Sequence, residues 1–450
     1  MKAESKFIAL IAGLFVVASL SGQTPSPVSE MVNTYCADCH NGTMRSPSNQ
    51  LLDQFDSAHI SANPDVWSRA YRQLQAGTMP PVGAPRPDRA TYQAVAKSVE
   101  QALGGGAKAT PDSDNQRIAT RLAKLLWNAA PDAPLLQDAQ HNKLGDPATL
   151  QRQVQRMLAD DRAQAFVSRF FFPWLQLDKL GASDPDKKYF PDYDVSLRDA
   201  LAKETELFLL SQLREDRDPV ELWTADYTFL NEQLAKHYGV PHVSGAEFRR
   251  VSLAKPDHST PERAGLLGQG SILMVTSPLH GSQGAYTSPA SRGKWVRAHF
   301  LGVNPPMPFP NAKPVNPEFP TTGQVRVLPD NPCNSCHRNF FPLGYALENF
   351  DPLGRWRTRD QVGPVDASGT FVDGSPASGI VELRQVLLQR PDAFRTSITE
   401  KLLAYSPEAP TPSFNTTPQT LVRARQILNG MDKPRWSALI AAIVGTKPIE

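Results

Sequence analysis

The sequence predicts a mainly α-helical fold: a small N-terminal helical domain, then a larger helical domain, with a proline-rich strap and a small hairpin in the second half. Three observations carry that expectation. Apolar residues recur at helical spacing along several stretches bounded by capping residues. The four cysteines fall into two copies of one pattern, Cys36-Ala-Asp-Cys39-His40 and Cys333-Asn-Ser-Cys336-His337. The 41 prolines among 450 residues make roughly twice the average usage, which calls for long connectors between short helices. The length is enough for more than one domain with its own core. Lys plus Arg is 47 against 45 for Asp plus Glu, a formal charge of +2. No basic excess is available for phosphate contacts, so a nucleic-acid partner is excluded.

Residues 1–22 have the layout of a signal peptide. Lys2 and Lys6 give a positive start, Phe7 to Leu20 an apolar run, and Ser19, Ser21 and Gly22 a small-residue cleavage site. The run is shorter than the roughly 20 residues a membrane-spanning helix needs. No later stretch is long and apolar enough to span a bilayer. The expectation is a periplasmic or otherwise exported protein with no integral membrane span after cleavage; retention of the segment as an anchor stays open.

Cys-x-x-Cys-His places two thiols on one helical turn, where they can form thioethers with a porphyrin's vinyl groups, and puts the adjacent His beneath the iron. A zinc site would have to join two distant Cys pairs and would leave both histidines unexplained. A redox dithiol has no need of the His either. The pattern therefore implies two covalently bound haem c groups, held by Cys36 and Cys39 and by Cys333 and Cys336, with His40 and His337 as proximal iron ligands.

Residues 25–106 form a self-contained cytochrome c layout around the first motif. A short helix from about Ser29 leads into Cys36. Asn63-Pro64 opens a second helix with Val66, Ala70 and Leu74 on one face, ending at Gly77-Thr-Met79-Pro-Pro81. A third carries Tyr92, Val95, Ala96, Val99 and Leu103 and stops at Gly104-Gly-Gly106. Met79 lies in the loop between the last two helices, where a distal thioether ligand comes from; the alternatives are a core-filling Met79 and His59 as ligand. His/Met ligation leaves no open iron position and suits electron transfer. For the second haem, His280 in a polar, glycine-flanked segment is the leading distal candidate and Met431 the next. An iron left five-coordinate or water-bound weighs at least as much as either, and such an open iron is where peroxide or oxygen chemistry could take place. Met274, His299 and Met307 have ordinary structural explanations.

Residues 115–300 are expected to be helical, 301–332 to form the strap, and 333–450 to hold the second haem and the C-terminal helices. Helices are expected over Arg117 to Asn128, Asp146 to Leu158, from Asp194 through Leu213, and over Asn231 to Tyr238. The cluster Phe170-Phe-Phe-Pro-Trp174 is expected in the core. Glu204 and Glu206 are expected on a solvated helix face. A small hairpin is expected between Gly363 and Gly379, then helices over Ser397 to Tyr405, Pro418 to Ile427 and Trp436 to Val444.

The wording of the N-terminal part, with its Cys36-x-x-Cys39-His40 and Gly77-Thr-Met79-Pro-Pro81, resembles the Planctomycete-type cytochrome c domain. The rest resembles the domain-of-unknown-function families 1595, 1592, 1588 and 1585, in that order. The resemblance is carried by Arg121-Leu-Ala-Lys-Leu-Leu-Trp127, Asp226-Tyr-Thr-Phe-Leu-Asn-Glu232 with His237-Tyr-Gly239, and Arg263-Ala-Gly-Leu-Leu-Gly-Gln269. It continues through Thr287-Ser-Pro289, Arg292-Gly293 and Trp295, and from Pro342-Leu-Gly344 through Glu348 to Gly354-Arg-Trp-Arg357. The chain departs from the family at Phe340-Phe341, at Tyr405-Ser-Pro-Glu-Ala409, and in the short link before its 1595-type segment. The resemblance implies an exported, haem-bearing, mainly helical protein and no particular substrate.

The leading expectation is an exported dihaem c-type cytochrome that transfers electrons with an unidentified redox partner protein. Arg355 and Arg357 would pair haem propionates or form structural ion pairs. The alternatives are a peroxidase-like dihaem oxidoreductase with an open second haem, and a non-catalytic cell-envelope interaction protein. Whether the protein is an enzyme is left undecided by the sequence.

Overall fold

The computed structural model describes residues 26–43, 51–81, 83–257, 259, 261–277, 287–304, 339–360, 363–405 and 413–449. The signal-like segment, most of the strap, the second Cys-x-x-Cys-His motif, His280 and Met307 lie outside them. The described chain is mainly helical, with one two-stranded sheet.

Ser26 caps α1 (Pro27–Met31), which runs without a break into a π turn, Val32–Cys36. Proline at the first position starts α2 (Pro64–Gln75), and Asp88 caps α3 (Arg89–Ala102) by accepting from Thr91 N at 2.8 Å. Asn63 sits at the α2 cap position, but its side chain makes no capping bond. Val28, Met31, Val32, Ile60, Trp67, Tyr71, Val95 and Val99 pack into one small core, joined by Leu421 from far along the chain. The inward face of α2 is rotated from the expected one: Trp67 and Tyr71 are buried with Val66, while Ala70 and Leu74 are only partly covered. The aromatic rings bury more apolar surface and set the orientation.

The larger body begins with α4 (Asn115–Trp127), α5 (Ala133–Gln140) and α6 (Pro147–Ala159), each capped by an aspartate, Asp114, Asp132 and Asp146. Short helical turns then carry the aromatic cluster. Phe170 and Phe171 have no exposed surface and pack edge-on with Phe166, Trp174, Tyr405 and Trp436. Asp194 opens the long α7 (Val195–Arg214), with Leu197, Leu201, Phe208, Leu209 and Leu213 inward. Strand β1 (Tyr227–Leu230) pairs antiparallel with β2 (Arg249–Ser252), Tyr227 opposite Ser252, around α8 (Glu232–Tyr238). The small hairpin expected at 363–379 corresponds there to isolated bridges, Thr370 to Pro376 and Arg359 to Pro364, and the two-stranded sheet lies in the first half of the body. Then follow α9 (Gly270–Val275), α10 (Pro289–His299), α11 (Phe341–Tyr345) and α12 (Gly379–Leu388). The last helices are α13 (Pro391–Ala404), α14 (Pro418–Leu428) and α15 (Trp436–Val444). No helix among the described residues is long and apolar enough to cross a membrane.

The small module is seated on α13 and α14. Arg72 pairs Glu400 at 2.6 Å, with Glu400 almost fully covered. Tyr71 donates to Glu100 at 3.0 Å, and Arg425 forms an ion pair with that same carboxylate at 3.1 Å. Gln426 and Asn429 donate to the carbonyls of Gly104 and Gly106, in the turn that follows α3. Backbone carbonyls of that turn are thereby satisfied across the seam.

A second buried polar group corrects the expectation for α7. Glu204 is fully buried, accepting from Thr228 Oγ1 and Tyr238 OH, both at 2.6 Å, while only Glu206 reaches the surface and pairs Lys203 at 2.8 Å. Arg263 lies over the Tyr238 ring at 3.7 Å. The face that looked charged in the sequence is thus split between a core position and a surface one. Burial pushes the Glu204 carboxyl from 4.5 up to about 7, against its hydrogen bonds and the nearby Arg263. An acid raised on folding contributes stability fully below its unfolded pKa and loses it as pH climbs through the folded one, a swing of roughly 3 kcal/mol here. Thermal melts from pH 5 to pH 8 are expected to show a smaller fall in Tm for Glu204→Gln than for the wild type. Parallel profiles would show that Glu204 does not titrate across this window.

Candidate haem site around Cys36, Cys39, His40 and Met79

The π turn after α1 delivers the first motif. Ala37 N bonds Val32 O at 2.8 Å, and the chain then tightens, with Cys39 N at 3.1 Å and His40 N at 2.9 Å from Cys36 O. Both cysteines and the histidine therefore share one turn. Neither thiol is in a disulfide; Cys36 is half-buried, its Sγ 3.5 Å from Met31 O, and Cys39 is exposed. Burial, with Cys39 adding to it, pushes the Cys36 thiol up to about 11.

Met79 sits half-buried in the loop leaving α2. Gly77 has φ +64°, and this left-handed residue turns the chain out of the helix. The loop is then tied to α3 and its approach. Tyr92 OH donates to Met79 O at 2.6 Å, and Arg86 donates to Gly77 O at 2.9 Å and to Pro80 O. The Arg86 guanidinium lies 5.4 Å from the Tyr92 ring centre. Burial pushes the Tyr92 hydroxyl up to about 12, and among the lesser causes is the charge of the neighbouring Cys36. Tyr92 thus ties α3 to the Met79 loop and packs against the same small core as Cys36. In the sequence Tyr92 reads only as an apolar-face residue, and nothing local distinguishes Arg86, a bracing arginine, from a solvated one.

The donor set suits covalent haem: two unpaired thiols on one turn, an adjoining imidazole, and a thioether on a loop fastened to the same small core. Cys36 and Cys39 would take the thioether bonds, and His40 and Met79 would hold the iron. His59, the competing candidate, is exposed, its Nδ1 2.5 Å from Asp56 Oδ2. Among the described residues no cluster of three or more His, Cys, Asp or Glu could hold a bare metal ion.

Cys333, Cys336, His337 and His280 lie outside the described residues, so the second site is approached through its neighbours. Met274 is fully buried in α9 as core. His299 is buried, with Nδ1 2.8 Å from Trp295 O and Nε2 2.7 Å from Trp174 O, and burial pushes its imidazole down to about 4. Both ring nitrogens face backbone carbonyls. Met431 is half-buried just beyond α14. The arginines weighed as propionate partners form ion pairs: Arg355 with Asp351 at 2.9 Å, and Arg357 with the buried Glu348 at 3.1 Å.

Residues 114–240 match the family model PSD4, Protein of unknown function (DUF1592), and residues 263–360 match PSCyt3, Protein of unknown function (DUF1588). Both belong to the planctomycete cytochrome c-associated families. The 1592-type match starts directly after the small module and takes in Arg121 to Trp127, where a 1595-type segment was expected. No curated protein and no solved structure matches the chain.

The two thiols differ in access. In haem-free chain at pH 8, iodoacetamide is expected to label exposed Cys39 well before half-buried Cys36. Peptide mass mapping over time checks this, and equal rates would contradict the burial of Cys36.

Proposed function

We propose that this chain is an exported dihaem c-type cytochrome that transfers electrons to or from a redox partner protein. One haem c would be attached at Cys36 and Cys39 with iron ligands His40 and Met79. The other would be attached at Cys333 and Cys336 with His337 as proximal ligand and His280 as the distal candidate. The observation that carries the reading is the Cys36–His40 turn: two free thiols and a histidine on one turn, beside a methionine loop braced by Tyr92.

Bound haem c supplies one-electron redox chemistry, with a His/Met pair raising the potential. The chain's part is positional. Cys36 and Cys39 anchor the porphyrin edge, His40 follows directly from the same turn, and Arg86 and Tyr92 hold the backbone on either side of Met79. His40 and Met79 together would hold the iron and leave it no place for a substrate, which suits a carrier. Matches to cytochrome c-associated families on residues 114–240 and 263–360 support the reading. The signal-like residues 1–22 and the wording around both motifs support export, and the wording also supports the cytochrome c, 1595-type and 1585-type parts of the resemblance.

The test is spectroscopic. The oxidised holoprotein should show a thioether-to-iron absorption feature near the red edge, and Met79→Ala should abolish it while haem stays attached. Persistence of the feature in that variant would remove Met79 as ligand. A high-spin component that shifts on adding cyanide or peroxide would count against a pure carrier.

A further inference from the structure

The loop that carries Met79 is gripped from two sides. On its own side are Arg86 and Tyr92. On the other is Arg390, the residue that leads into α13, more than 300 positions further along the chain. Its guanidinium packs close against Gly77: a Cβ added there would stand 2.9 Å from Nε and 3.4 Å from Nη2. Arg390 is itself held in place. It donates to Val386 O at 3.0 Å and to the Asp373 carboxylate, and it covers the Phe371 ring at 4.6 Å. Only 14% of its side chain is exposed. Charge-assisted bonds in such partial enclosure are stronger than those of a solvated surface pair. Next to it, Thr78 is fully buried and donates to Gln73, whose Oε1 also accepts from Arg297 of α10 at 3.1 Å.

We propose that Arg390 is a positioning residue for the first haem, its guanidinium closing on Gly77 so that the Met79 ligand loop is completed by the larger body and not by the small module alone. The inference rests on the assignment of Met79 as distal ligand. Asp373 and Phe371 keep the guanidinium from swinging away, so the loop is confined between Arg390 and the Arg86–Tyr92 pair. With Arg390 removed, the loop keeps one brace and loses the other. The methionine should then leave the iron more often, without loss of the covalent haem.

The experiment uses the full-length holoprotein and three variants, Arg390→Ala, Arg390→Lys and Arg425→Ala. The last loosens the seam at Glu100 without touching the loop. In Arg390→Ala, cyanide is expected to displace the thioether about tenfold faster, read as loss of the red-edge feature, with a lower reduction potential. Arg390→Lys should restore part of the wild-type rate, and Arg425→Ala should keep it. Hydrogen exchange gives a reading independent of iron: the Gly77 and Thr78 amides, bonded to Leu74 O and Gln73 O, should exchange faster in Arg390→Ala and not in Arg425→Ala. Unchanged cyanide rate, potential and exchange in a folded Arg390→Ala protein would overturn the proposal. Equal changes in Arg425→Ala would also overturn it, because seam loosening in general would then be the cause. Absence of the red-edge feature from the wild type would instead overturn the Met79 assignment, and this inference with it.

Discussion

A buried backbone carbonyl needs a donor, and in a proline-rich chain of short helices many carbonyls lose their helical one. Arginine side chains supply the lack throughout this protein. Arg292, with no exposed surface, donates to the carbonyls of Leu347, Phe350 and Asp351 and also meets Glu348. Arg384 serves the carbonyls of Pro261, Glu262 and Ala264, and Arg263 those of Gly268 and Gly354. Arg121 gathers the carbonyls of Ile443, Val444 and Thr446 where the last helix ends. A guanidinium has several fixed donors and no acceptor, so one side chain can close several orphaned carbonyls of a loop at once. Three of these four arginines lie inside the segments that match the cytochrome c-associated families.

The same device recurs on the small module, and there it acts on the proposed ligand loop. Arg86 closes the carbonyls of Gly77 and Pro80, and Arg390 packs on Gly77 from outside. Around them the seam of Arg72 with Glu400 and of Arg425 with Glu100 holds α2 and α3 against α13 and α14. A small module fixed in this way is held in one place on the larger body, unlike one tethered by a flexible linker.

What the sequence made legible is what local rules govern. Apolar spacing, with capping and turn residues at some of the ends, locates α4, α6, α7, α8, α14 and α15 to within a few residues, and the run of aromatic residues places Phe170, Phe171 and Trp174 in the core. The attachment turn was legible for the same reason, because Cys36, Cys39 and His40 are neighbours in the chain. Non-local packing was not. Glu204 looks like any helix-surface carboxylate until β1 and α8 bring Thr228 and Tyr238 to it. Trp67 and Tyr71 turn α2 by about one residue because of what they pack against. Arg390, held by Asp373, meets Gly77 across most of the chain length, and no motif marks such a contact.

The claim on which the functional account rests is that all four cysteines carry haem. The intact mass of the protein, exported from a host that attaches haem to c-type cytochromes, tests it most directly, together with peptide mapping of the cysteines. The account predicts a chain cleaved near residue 22 bearing two haems, with Cys36, Cys39, Cys333 and Cys336 all in thioether linkage and no free thiol. A haem-free chain with four free thiols, with disulfides, or with a zinc ion removable by a chelator would contradict it.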